Sequence, residues 1–241
     1  METNELIAAL DRDSAAFVDA CEAAGLTAAV PSCPGWTVAD LLWHLIEVQH
    51  FWQTIVAEHS SDPRGYEQPA KPADEALVEM YRQVRAGLLA TLTEADPGSP
   101  NWTWSNDNTA GFVIRRMAQE TAVHLWDAAD AAGSARPIEA GLASDGTDEF
   151  LTHFLPHATK GADPVGGSVH LHCGDVPGEW TVSEVGDEFV VVPEHAKGDC
   201  AIRGAASDIL LVLWRRLPLS TCDVIGDDGV AARFIAHTNL G

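Results

Sequence analysis

Glu120 and His124 constrain most strongly how this chain can fold. They lie four positions apart in a segment, Asn108 to Ala132, whose apolar residues recur at helical spacing and which Gly133 stops. Met117, Glu120, His124 and Ala128 share one face of the predicted helix. A carboxylate on an inward face is costly unless a partner neutralises it. The fold therefore has to bring a compensating group to this face.

A second predicted helix supplies a candidate. Pro31, Pro34 and Gly35 interrupt regular structure after Val30, and Thr37 and Asp40 then offer side-chain caps for a helix from about Val38 to Glu58. In that helix Leu41, His44, Leu45, Val48, Trp52 and Ile55 fall on one stripe, so the imidazole of His44 points inward. Two more helices share the pattern. Residues 4–24 place Leu6, Leu10, Phe17 and Cys21 on one face before Gly25, and a segment from Asp74 carries Leu77, Met80 or Tyr81, Val84, Leu88 and Leu92 before Asp96-Pro97-Gly98. A shorter helical stretch covers Ile138 to Phe154 and ends at Pro156, so four or five helices joined by loops predict a bundle.

Beyond Pro164 the texture changes to short apolar runs broken by Gly, Asp and Pro. Val169–Cys173, Trp180–Val182, Phe189–Val192 and Cys200–Ile202 read as strands, Ala205–Leu217 as an amphipathic helix, Cys222–Ile225 as a strand and Val230–His237 as a closing helix. The expected class is α+β, with a helical domain over residues 1–158 and a small α+β domain over 159–241.

Charge narrows the partners. With 14 Lys+Arg against 36 Asp+Glu the net charge is −22, which disfavours nucleic acid and anionic membranes. No run reaches the roughly 20 apolar residues of a membrane span, and Met1 leads into Glu2, Asn4 and Glu5 instead of a basic, then apolar, leader. The expectation is a cytoplasmic protein, monomeric or homodimeric. Its five cysteines, Cys21, Cys33, Cys173, Cys200 and Cys222, contain no C-x-x-C pair and read as reduced and mostly buried.

Two imidazoles and one carboxylate are the ligand set of a catalytic zinc site, with a position left for water or substrate. The set also suits nickel, iron or manganese. The alternative is that Glu120 and His124 form a simple helix pair while His44 bonds a backbone carbonyl, and spacing alone leaves both readings open. Among the other histidines, His153 and His157 flank Pro156 and read as surface residues. His170 and His172 share the side of a strand opposite Val169, Leu171 and Cys173, read as a solvent face. Trp102 and Trp104 lie between helices, where they could rim a pocket. Arg115-Arg116 and Arg215-Arg216 stand out in so acidic a chain as groups for an anionic ligand.

Two segments, Pro34-Gly35-Trp36-Thr37-Val38-Ala39-Asp40-Leu41-Leu42-Trp43-His44-Leu45 and Arg115-Arg116-Met117-Ala118-Gln119-Glu120-Thr121-Ala122-Val123-His124-Leu125-Trp126-Asp127, resemble the signatures of the mycothiol-dependent maleylpyruvate isomerase family. Gly204-Ala205-Ala206-Ser207-Asp208 through Leu213-Trp214-Arg215-Arg216 is similar to that family's C-terminal domain, so the resemblance covers nearly the whole chain. It implies a DinB-like, up-and-down four-helix bundle followed by a small sterol-carrier-like α+β domain. It also implies that His44, Glu120 and His124 hold a divalent metal, expected to be zinc.

The cosubstrate implied is mycothiol, a cysteinyl pseudo-disaccharide thiol whose pKa the metal lowers. Its thiolate adds to the cis double bond of maleylpyruvate, the new single bond rotates, and elimination leaves fumarylpyruvate. A C-terminal-domain arginine is implicated in the family; Arg216 matches best, with Arg203 second, and Arg116 and Trp104 are expected to contact the cosubstrate. Two other functions remain: thiol S-transfer to an electrophile, and a non-catalytic module that binds a metal or a small ligand.

Overall fold

A computed structural model of the chain describes residues 1–157, 164–186 and 188–239. It divides into two compact units, Met1–Arg136 and Pro137–Gly241. The boundary expected at 158/159 falls outside the described residues.

The first unit is built from α1 (Thr3–Ala24), α2 (Val38–Ala57), α3 (Asp74–Glu94) and α4 (Ala110–Ala131). Helix α1 packs chiefly on α4 and α2 on α3, while α2 also meets α4. The amphipathic stripes decide this arrangement. Leu41, Leu42, Leu45 and Ile46 of α2 interlock with Phe17 and Cys21 of α1 and with Leu77 and Tyr81 of α3, all fully buried. Each such side chain contributes roughly 1.5–3 kcal/mol by leaving water. His44 sits at the margin of the α2 stripe, with 30% of its side chain exposed.

Local chemistry sets the helix ends. Residues 28–38 form a tight loop in which Val30 N donates to Trp36 O and Val38 N to Ala28 O, with Gly35 at φ 87°. Thr37 then caps α2, its hydroxyl accepting from Asp40 N while the Asp40 carboxylate accepts from Thr37 N at 3.0 Å. Helices α2 and α4 close alike. Ser60 N reaches back to Ile55 O and Ser134 N to Ala129 O, with His59 (φ 48°) and Gly133 (φ 66°) as the left-handed residues.

The second unit holds α5 (Ala140–Glu149) and a five-stranded sheet of β1 (Ser168–Cys173), β2 (Glu179–Val185), β3 (Glu188–Val192), β4 (Cys200–Gly204) and β5 (Asp223–Gly226), with α6 (Ala206–Leu213) and α7 (Asp228–His237). The strand order is β3-β2-β1-β4-β5, antiparallel except for β1 beside β4. Val169, Leu171, Cys173, Trp180, Val182 and Ile202 form its buried face.

Helix α5 was grouped by the sequence reading with the bundle, yet it packs in this second unit against α6. Trp180 Nε1 donates to Asp148 Oδ1, and Ser144 Oγ donates to Pro177 O. Helix α6 also stops earlier than the expected Leu217. Arg215 adopts φ 59°, and Arg216 N turns back to Leu211 O at 2.8 Å.

Candidate metal centre

The α2–α4 contact brings together the three residues singled out by face direction. His44 Nε2 lies 3.0 Å from Glu120 Oε1, and His124 Nε2 lies 3.2 Å from the same oxygen. The two imidazole rings meet edge to face at 4.9 Å between centroids. One ligand atom from each residue falls within 4.8 Å of the others. Two nitrogens and a carboxylate oxygen converging in this way suit a divalent metal.

Two further residues orient the cluster, and the sequence reading gave neither this task. Asp127 is fully buried and accepts from His124 Nδ1 at 2.8 Å, which turns Nε2 toward Glu120 and His44. Ser32 Oγ donates to the other oxygen of the same carboxylate, Oδ1 (2.6 Å), and Cys33 Sγ donates to Oδ2 (3.7 Å), the oxygen that also takes the His124 bond. Asp127 thus ties the loop before α2 to the end of α4. Arg116, 3% exposed, donates from Nη2 to Glu120 Oε2 at 2.8 Å, leaving Oε1 to face the imidazoles.

Electrostatics follows from that packing. Burial opposes ionisation of Glu120, but Arg116 and the two histidines outweigh it and hold the carboxyl well below its usual range. Burial also opposes charge on His124, yet Glu120 and Asp127 raise it to about 9. Replacing Asp127 by Asn keeps the shape but weakens the acceptor that orients the ring. The expected result is a loss of roughly 10–100-fold in metal affinity, measured by competition with a chromophoric chelator.

A cleft of about 340 Å³ opens beside His44, lined by Glu47, Val48, Phe51, Trp52, Tyr66 and Gln68. Gln68 hydrogen-bonds Glu47 at its edge, and His50 Nδ1 meets Tyr66 Oη at 2.9 Å. Burial and the nearby Glu47 push the Tyr66 hydroxyl up to about 12, so it stays protonated. Trp102 stacks on Trp52, whereas Trp104 packs edge-on against Phe112.

Arg203 and Arg216 belong to the second unit: Arg203 is exposed on β4, and Arg216 Nη1 donates to Trp214 O at 3.0 Å.

Residues 7–129 match the family profile described as the mycothiol maleylpyruvate isomerase N-terminal domain, and residues 141–233 match the profile of the corresponding C-terminal domain. The chain belongs to the mycothiol-dependent maleylpyruvate isomerase family. Crystal structures of the mycothiol-dependent maleylpyruvate isomerase, and of a histidine-to-alanine mutant of it, each align over 88% of this chain and 88% of theirs with a TM-score of 0.57. Identity is 13% and 11%, so the likeness is one of fold. No curated protein matches the chain. The two segments that resemble the family's signatures, 34–45 and 115–127, lie inside the first matched region and meet where His44 Nε2 lies against Glu120 Oε1.

Proposed function

We propose that this protein is a metal-dependent, mycothiol-using cis-trans isomerase of the maleylpyruvate type, acting in the cytoplasm by thiolate addition and elimination. The convergence of His44, Glu120 and His124 beside an aromatic cleft supports the reading most directly. These three residues would hold a divalent ion, most suitably zinc. Bound there, such an ion acts as a Lewis acid and lowers the pKa of an incoming thiol so that its thiolate predominates near neutral pH.

The chain's own buried thiols are poor substitutes for that cosubstrate. Burial pushes Cys21 up to about 12 and Cys173, Cys200 and Cys222 up to about 11, which keeps them protonated. In the proposed reaction Phe51, Trp52 and Tyr66 offer apolar faces to the thiol's sugar rings, while Glu47 and Gln68 offer polar groups at the rim. The thiolate forms a C–S bond at the substrate's double bond, and the electron pair moves into the adjoining carbonyl. After rotation the C–S bond breaks, restoring the double bond in trans geometry and releasing the thiolate. Arg216 first and Arg203 second are the candidates for pairing with substrate carboxylates.

Zinc-loaded protein given maleylpyruvate and mycothiol should form fumarylpyruvate with no net loss of thiol. Thiol consumption with formation of a thioether would replace isomerisation with S-transfer. An absence of thiol-dependent turnover on either kind of substrate would leave a non-catalytic binding module.

A further inference from the structure

The face of the sheet opposite Val169, Leu171 and Cys173 carries a second convergence of ligand atoms, wholly within the second unit. Alternation along β1 puts His170 and His172 on that face, and the β1–β2 register sets Glu179 directly opposite His172. His195 comes from the segment after β3, which is tied to β2 where Thr181 Oγ1 donates to Glu194 O. His172 Nδ1 lies 2.9 Å from Glu179 Oε1, while His170 Nε2 and His195 Nδ1 lie 3.2 and 2.6 Å from Glu179 Oε2. The ring of His195 stands edge-on to that of His170 at 5.0 Å, and His170 is 7% exposed.

We propose that His170, His172, Glu179 and His195 form a second metal site, for a divalent ion with a preference for nitrogen ligands, zinc above all. All four ligand atoms fall within 4.8 Å of one another. Three imidazoles and one carboxylate complete a tetrahedral set, as a closed structural zinc site requires. Three nitrogen donors suit zinc better than magnesium or calcium, which take oxygen ligands.

A dication at this point would take a lone pair from each of the three rings and from the Glu179 carboxylate, which already lies within 3.2 Å of all three imidazoles. Arg203 neighbours His172 in the β1–β4 register, but it is exposed and solvent screens its charge. A filled site would fasten the segment around His195 to β1 and β2, a structural task separate from the cleft beside His44.

The test uses untagged full-length protein, stripped with a chelator, reloaded with zinc, freed of excess ion by dialysis and submitted to elemental analysis. The His172→Ala/His195→Ala variant should hold about one zinc fewer per chain than wild type. In the His44→Ala/His124→Ala background, cobalt(II) should give the visible bands of a tetrahedral ion, and these should vanish when His172 and His195 are also replaced. A wild-type zinc count in the His172→Ala/His195→Ala variant, or no cobalt bands in the His44→Ala/His124→Ala background, overturns the proposal. If the centre near α2 and α4 binds nothing, wild type should hold about one zinc and the sheet variant none, so the two readings fail separately. Both replaced residues are at least partly exposed, and far-UV circular dichroism checks that the variant folds.

Discussion

His44→Ala should remove about one zinc per chain and lower thiol-dependent turnover on the order of a thousandfold or more, the several kcal/mol that a Lewis acid supplies to such a reaction. His124→Ala should do the same, but it also deprives the fully buried Asp127 of a partner, so lower stability accompanies the lost activity. His44, with 30% of its side chain exposed, is the cleaner position: its removal leaves no buried group orphaned. Elemental analysis, a thermal melt and an initial-rate assay together separate loss of the ion from loss of the fold. Full zinc and an unchanged rate in His44→Ala would remove this residue from the centre.

The second large effect concerns Arg116. In chelated protein, Arg116→Met should cost about 3 kcal/mol of folding stability, the lower end of the range for breaking a buried ion pair. The lower end applies because Glu120 keeps 18% side-chain exposure, which lets water share the uncompensated charge. Zinc should recover a large part of that loss, since the dication would then face the carboxylate. Arg116→Lys, which keeps the charge but not the planar donor geometry, should fall between the two. Denaturant titrations with and without zinc measure each quantity. A loss below about 1 kcal/mol, typical of exposed pairs, would mean that solvent already screens Glu120.

The helical half was largely legible. The apolar stripes of α2 and α4 are strongly periodic, and Thr37, Asp40 and Gly133 act where their chemistry predicts. His44, Glu120 and His124 could be selected from face direction before any contact was known. Asp127 could not be assigned a task, because its partners Ser32 and Cys33 lie some ninety positions away in the chain. A signal was present nonetheless: Asp127 lies three residues after His124, on the same side of the helix.

The second half was legible as elements but less so as contacts. All five strands fall where the alternating runs predict, whereas α5 sided with the sheet through Trp180 and Ser144, contacts that no local pattern encodes. Helix α6 stops at Leu213 because Arg215 takes a left-handed conformation that glycine would ordinarily mark. His170 and His172 read as a solvent face because nothing nearby in sequence pairs with them. Strand register brings in Glu179 and a loop brings in His195, so a face expected to be wet contains a buried imidazole.

The carboxylate shared by Ser32, Cys33 and His124 has a consequence for anyone wishing to move this centre elsewhere. Transplanting only the two helices into a designed scaffold would carry the three metal-facing side chains and leave behind Ser32 and Cys33, two of the three donors that hold Asp127. The smallest portable unit is therefore discontinuous: the 28–45 segment with its proline-rich loop, together with 115–127. In natural descendants of this chain, a change at Ser32 or Cys33 should be accompanied by compensation at Asp127, so that distant positions drift as a pair.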